Sequence, residues 1–298
     1  MTSDLLIQNL FNALTVGSLY ALIAIGYTMV YGILRFINFA HGDIFMVGAY
    51  FIFFTVNFTV LPWYMAAVVA IAGASALGIT VDRIAYRPLR EAPRISALIS
   101  AIGVSFLLEN FGLVVFTGLP RPAVQPQWMV DPIIIGENIR ILPLSFIVPL
   151  VTALLVMGLL WIVYRTRPGL AMRSISRDIE TTRLMGVSID RIIAMTFGLG
   201  SALAAAAGIM WAMRYPQIHP FMGVMPGFKA FIAAVVGGIG SIQGAVLGGL
   251  LLGTVEIMAV AFYPELSGYR DAFAFVLLIV ILLFRPTGLM GEKLEDKI

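Results

Sequence analysis

The 298-residue sequence contains no cysteine, only two histidines (His41 and His219) and only three lysines (Lys229, Lys293 and Lys297). Each shortage excludes a class of chemistry. Without cysteine there are no disulfides and no thiolate metal sites. The two histidines stand apart, outside any ligand-spaced cluster, so no metal is expected. They are also too few and too isolated to build a Ser/His/Asp set. None of the lysines sits in a Gly-x-x-x-x-Gly-Lys-Ser/Thr loop, so the chain is not expected to hydrolyse ATP by itself. It is expected to carry no cofactor of its own and to have no nucleic-acid partner.

Charge is also scarce. Charged residues make up 12% of the chain and hydrophobic ones 60%, against about 25% and about 45–50% in soluble domains. A soluble fold has no interior large enough for that much apolar surface, whereas a lipid bilayer is itself an apolar solvent. The sequence reads as an all-α polytopic integral membrane protein, one transmembrane domain over residues 1–298. The first 34 residues hold no Lys or Arg. They therefore lack the basic n-region of a cleavable signal and read as a retained span.

A crossing needs about 20 mostly apolar residues. Candidates are Leu5–Leu34, Ile44–Val60, Trp63–Val81, Ile95–Thr117, Ile141–Val163 and Ile192–Met213, then a Gly-interrupted region, Phe228–Ala261, and Ala272–Phe284. These give eight or nine helices, some discontinuous. Segment 82–94 carries Arg83, Arg87, Arg90 and Arg94, and segment 164–191 carries Arg165, Arg167, Arg173, Arg177, Arg183 and Arg191. Together they hold ten of the nineteen basic residues, which places both in the cytoplasm by the positive-inside rule. Segment 118–140, with Arg121 and Arg140 offset by Asp131 and Glu137, is expected outside. The tail with Arg285, Lys293 and Lys297 reads as cytoplasmic. An external N-terminus follows if Leu5–Leu34 is one span.

Polar residues and helix breaks are costly within a membrane, so their positions are informative. The first break places Asn38, His41 and Asp43 between two apolar runs, with Gly42 permitting a turn. Asp43 can cap a helix starting at Ile44, or the three polar side chains can line a solute path. The second break is Gly237-Gly238-Ile-Gly240-Ser241, followed by Gly244, Gly248, Gly249 and Gly253. Small residues at spacings of four favour close helix packing, and the glycine pair favours a turn at membrane depth; Gly237, Gly238 and Gly240 are expected on the translocation path together with Asn38, His41, Gly42 and Asp43. Glu109 and Glu256 lie in otherwise apolar runs. Each is expected to be protonated, to face a cavity or to lie near a span end.

Segment 164–191 reads as a short amphipathic helix. Met172, Ile175 and Ile179 form one stripe, continued by Thr182 and Gly186, with Arg173, Arg177 and Glu180 on another face. Gly186 can end it. Such a helix can lie on lipid, solvate a loop or insert into a groove on a partner.

Several stretches, in order, resemble the permeases of branched-chain amino-acid ABC importers. They are Gly17-Ser-Leu-Tyr-Ala-Leu-Ile-Ala-Ile-Gly-Tyr-Thr-Met-Val-Tyr-Gly32, Asn38-Phe-Ala-His-Gly-Asp43 with Gly48-Ala-Tyr50, and Arg83-Ile-Ala-Tyr-Arg-Pro-Leu-Arg90. Ala97-Leu-Ile-Ser-Ala-Ile-Gly103, Ala233-Ala-Val-Val-Gly-Gly-Ile-Gly-Ser241 and Arg285-Pro-Thr-Gly-Leu289 follow. The likeness runs from about Phe11 to Leu289 and is nearest to the first of the two permeases that pair in such systems. It implies a second homologous permease, two cytoplasmic ATPase subunits that bind ATP and Mg, and a periplasmic amino-acid-binding protein, all at a bacterial inner membrane. It also implies that 164–191 is the ATPase-coupling segment, with Arg173, Asp178 and Gly186 at matching positions. Ser174 and Thr182 stand where alanines are frequent. Urea and short-chain amide permeases look similar throughout. From other classes, an ion-coupled carrier or channel working alone would ask Glu109 or Glu256 to carry ions, and a membrane enzyme would need a catalytic set that is missing.

Overall fold

The structure is a computed structural model and describes residues 3–123, 125–135 and 139–291. Glu137, Lys293 and Lys297 lie outside the described residues. The long helices are α1 (Ser3–Leu34), α2 (His41–Phe58), α3 (Trp63–Val81), α4 (Arg94–Phe116), α6 (Leu144–Arg165), α9 (Ile189–Arg214), α11 (Ile242–Phe262) and α12 (Arg270–Phe284). Short ones are α5 (Gln127–Val130), α7 (Arg167–Arg177), α8 (Ile179–Leu184) and α10 (Val224–Gly237). Eight helical stretches are long and apolar enough to cross a membrane, and α10 is a shorter apolar helix. The chain is therefore an all-α polytopic membrane protein.

Inner and outer helices divide by how much of each is covered. The apolar windows of α1 and α9 are 94% and 83% buried, whereas those of α4 and α12 are only 11% and 6% buried. A central pair of helices thus sits within a ring whose outer faces are free for lipid or another subunit. Small residues make the central contacts close. A Cβ on Gly249 would fall within 2.6 Å of the Ala21 Cα, and one on Gly17 within 2.9 Å of the Leu250 Cα. The glycines spaced by four therefore do pack helices, with α11 antiparallel to α1.

Two sets of contacts define the two ends of the bundle. At one end Gln8 donates to the Arg140 carbonyl and Arg214 to Asn12. There strand β1 (Arg121–Pro122) pairs with β4 (Gln217–Ile218), and β2 (Ile133–Ile135) with β3 (Ile139–Ile141). The N-terminal part of α1 thus shares an end with segment 118–140, as the one-span reading requires. At the other end Arg87 and Arg90 bind Asp190, which joins the two arginine-rich segments. Segment 82–94 is not a simple loop. The α3 axis continues through a π turn, Asp82–Tyr86, and a 3-10 turn, Arg87–Leu89.

Segment 164–191 also departs from expectation. The sequence stripe implies one helix, but the chain breaks at Asp178, whose backbone is extended (φ −153°). Its carboxylate accepts from the N–H groups of Glu180 and Thr181, capping α8. Met172, Ile175 and Thr182 are buried as the stripe predicts, but Ile179, at the break, is 37% exposed. Gly186 takes φ +80° just past α8 and ends it, as expected.

Candidate functional site

Helix α2 begins at His41, two residues before Asp43, and the residue at its N-cap is Ala40, which offers no capping side chain. Asp43 is therefore not the cap that its position suggested. Its carboxylate instead accepts from Ser105 Oγ of α4 at 2.5 Å, and it is 2% exposed. Glu109 is one turn beyond Ser105 on α4 and is half-buried. Two carboxylates from helices 66 positions apart in sequence thus share one neighbourhood.

His41 is also buried. Its Nε2 lies 3.2 Å from the Ile23 carbonyl oxygen, and its ring packs edge-on to Tyr27 at 4.7 Å. The imidazole fills the space that a side chain at Gly26 would need. Asn38 accepts from the Tyr86 hydroxyl at 2.6 Å, and its amide nitrogen is buried without a hydrogen-bond partner. Gly26 lies roughly two turns before the end of α1 and also faces the Gly200 backbone in the middle of α9. The start of α2 is therefore well inside the bundle.

The same depth is reached from the other end by the start of α10. A Cβ on Gly42 would meet the Gly223 carbonyl at 2.7 Å and the Gly227 Cα at 3.3 Å, so the two backbones touch. Helix α10 then runs 14 residues, about 21 Å at 1.5 Å per residue, to the arginine-rich end. It spans only part of a bilayer core of roughly 30 Å. Two helices of opposite direction thus meet N-terminus to N-terminus inside the bundle. The N–H groups of His41, Asp43 and Gly227 turn back onto the Asn38, Ala40 and Gly223 carbonyls, and the junction, flanked by His41, Asp43 and Tyr27, is a polar zone where the surrounding spans are apolar.

The second glycine cluster is elsewhere, at the far end of α10. Gly237 faces the Gly244 carbonyl across α10 and α11, and Gly238 (φ +108°) abuts Gly291. The N–H groups of Leu289 and Met290 donate to Val236 and Gly237, which satisfies carbonyls at the α10 terminus. A Cβ on Gly240 (φ +97°) would meet nothing within 4 Å, and one on Gly32 of α1 would lie 3.8 Å from the Gly240 Cα. Gly237 and Gly238 are therefore packed at the turn that ends α10, whereas Gly240 borders open space, and this turn is separated from the Gly42 junction by the length of α10.

Glu256 is not far from a partner, as an isolated membrane carboxylate would be. It accepts from Lys229 Nζ of α10 at 2.9 Å and from the Tyr20 hydroxyl of α1 at 2.9 Å, and it is paired with Arg270 of α12. Lys229 also reaches Asp271 at 2.6 Å. Two cations and two anions from three helices meet here, with the Tyr20 hydroxyl of a fourth. In the sequence Lys229 is marked only by the lack of a phosphate loop around it. Its partner, 27 residues later on an antiparallel helix, leaves no local spacing signal. No group of three or more metal-ligating side chains occurs among the described residues.

A second buried group links segment 164–191 to this interior. Met172 and Ile175 of α7 pack in one cluster with Ile33, Phe36, Tyr86, Ile193 and Phe197. Tyr86 lies edge-on to Phe36 at 5.1 Å while its hydroxyl holds Asn38. Arg173, by contrast, is exposed and stacks over Tyr164 at 5.3 Å.

Comparison with known proteins places these features in context. The family model described as the branched-chain amino acid transport system permease component matches residues 9–282. The chain is 44% identical to the high-affinity branched-chain amino acid transport system permease protein BraD of Pseudomonas aeruginosa, covering 98% of each chain. It is 42% identical to LivH of Escherichia coli, a protein of the same description, over 98% of this chain and 97% of that one. The ribose import permease protein RbsC of Escherichia coli is more distant, at 26% identity over 83% of this chain and 76% of its own.

Proposed function

Because the chain belongs to the branched-chain amino-acid transport permease family, we propose that it is the membrane-spanning permease subunit of an ATP-driven importer of leucine, isoleucine and valine. The observation that carries this reading is end-to-end similarity, at 42–44% identity, to two permeases named for that transport. In this reading it works in a bacterial inner membrane beside a second, homologous permease. Two cytoplasmic ATPase subunits bind ATP and Mg, and a periplasmic binding protein delivers the amino acid.

The translocation path runs along α2, α4 and the start of α10. Two facts support this placement. A carboxylate facing hydrocarbon is costly, yet Glu109 is half-exposed on α4, the most weakly covered helix but one. A water-filled path or the second permease removes that cost. The junction at Gly42 and Gly223 also puts helix N-termini at membrane depth, where irregular backbone is tolerated only if it is buried in protein or lines a cavity.

Coupling follows from packing. Helices α7 and α8 receive the movement of the ATPase pair. Met172 and Ile175 pass it to Phe36 and Tyr86, and Tyr86 passes it to Asn38 at the start of α2. A shift of α2 against α10 then opens one side of the path as it closes the other.

The test is to purify the chain with the second permease and both ATPase subunits and to measure ATP hydrolysis with loaded binding protein. Stimulation by leucine-loaded protein is expected, with none by urea. Stimulation by urea alone would point to an amide permease. Gradient-driven uptake with no ATPase subunit present would overturn the importer reading.

A further inference from the structure

A cavity of about 500 Å³ opens at the arginine-rich end, between the end of α3 and the start of α9. The transport cycle argued above makes no use of it. Arg83, Arg87 and Arg191 line it together with Asp82 and Asp190. The two aspartates are already engaged. Arg90 binds Asp82 at 2.7 Å and Asp190 at 2.5 Å, and Arg87 binds Asp190 at 2.5 Å. Counting Arg90, four arginines face two aspartates, a formal excess of two positive charges (4 − 2). That excess rests on Arg83 and Arg191, both exposed and in no ion pair among the described residues.

The rest of the wall is apolar. Ile79 of α3 lies one turn deeper than Arg83 of the π turn that continues it, and Met195 one turn deeper than Arg191 on α9. Both walls thus change from guanidinium to hydrocarbon within about 5.4 Å. A bilayer makes the same change between its phosphates and its acyl chains, and the arginine bias assigns this end to the cytoplasmic leaflet. Guanidinium groups pair with phosphate oxygens in a planar fork.

We propose that this cavity binds an anionic phospholipid of the cytoplasmic leaflet, with its phosphate between Arg83 and Arg191 and an acyl chain along Ile79 and Met195. The apolar wall distinguishes a lipid from a soluble phosphate, which would use the arginines alone. The bound lipid would brace the start of α9, directly after the coupling segment.

The experiment is retention of ligand by the full chain in mixed-lipid nanodiscs, read by native mass spectrometry. The arms are phosphatidylglycerol, phosphatidylcholine and glycerol 3-phosphate. Two arginines near a surface predict a preference of about tenfold or more for phosphatidylglycerol over phosphatidylcholine. Arg83→Gln with Arg191→Gln removes that preference, each single variant loses about a third to a half of it on a logarithmic scale, and Arg140→Gln at the opposite end leaves it intact. Glycerol 3-phosphate is retained far more weakly than the lipid. Equal retention of the two lipids, or full preference in the double variant, overturns the proposal. Glycerol 3-phosphate held as tightly as the lipid would make this a soluble-anion site instead. Loss of ATPase copurification in the double variant with lipid preference unchanged would make it a partner surface.

Discussion

The Tyr86 hydroxyl donates to Asn38 Oδ1 at 2.6 Å, with both residues almost wholly buried. This bond ties the π turn after α3 to the segment just before α2, and Tyr86 belongs to the apolar cluster that also receives α7. It is where the packing of segment 164–191 meets the polar interior.

Tyr86→Phe therefore has two expected effects. Asn38 already has an unpartnered amide nitrogen, and the variant strips its oxygen as well. A buried polar group left unsatisfied costs about 1–3 kcal/mol, so thermal unfolding of the detergent-purified protein should occur at lower temperature. Less amino acid should also be moved per ATP hydrolysed, because the aromatic ring stays while its hold on α2 is lost.

The junction of α2 and α10 depends on missing side chains. Gly42→Ala pushes a methyl group against the Gly223 carbonyl at 2.7 Å, and overpacking of this kind costs about 1–3 kcal/mol. Gly103→Ala, with nothing within 4 Å of the new carbon, should leave stability within about 0.5 kcal/mol of the parent. Paired thermal melts compare the two directly.

The charge cluster at Glu256 should behave as a unit. Removing one partner of a buried pair costs about 3–5 kcal/mol, so Lys229→Met and Glu256→Gln should each destabilise strongly. The double variant should cost clearly less than the two losses added, because neither residue then leaves an uncompensated charge. Additive losses would show that Lys229 and Glu256 act independently.

Asp178→Ala removes the cap of α8 and should cost about 1 kcal/mol locally. The wider consequence is a frayed α8 and weaker recovery of the ATPase subunits in pull-downs. Asp178→Asn keeps a capping oxygen and should retain most of that recovery.

Much of this architecture was legible in the sequence, because a bilayer imposes length and apolarity on every crossing. The ends of α3, α4 and α12 fall within a few residues of their hydropathy limits. The start of α10 was not legible from apolar runs. Pro226 lies in its first turn, where a missing N–H has no helical partner in any case, and the apolar run placed the start at Phe228. The break at Asp178 was masked by a stripe that continues across it. The polar segment from Asn38 to Asp43 stood out, but its partners Ser105, Tyr86 and Tyr27 come from other helices, and no local spacing marks them. Asp43 looked like a cap because carboxylates favour helix starts, but a hydroxyl on α4 takes its side chain instead.

The most direct measurement of the central claim is uptake of labelled leucine into proteoliposomes that hold the chain with its second permease and both ATPase subunits, loaded binding protein being supplied on the opposite side from ATP. ATP-dependent leucine accumulation is expected. Asp43→Asn and His41→Ala should each lower it about tenfold, with the ATPase subunits still bound. Leucine accumulation at the parent rate in both variants, or accumulation that needs no ATP, would contradict the account.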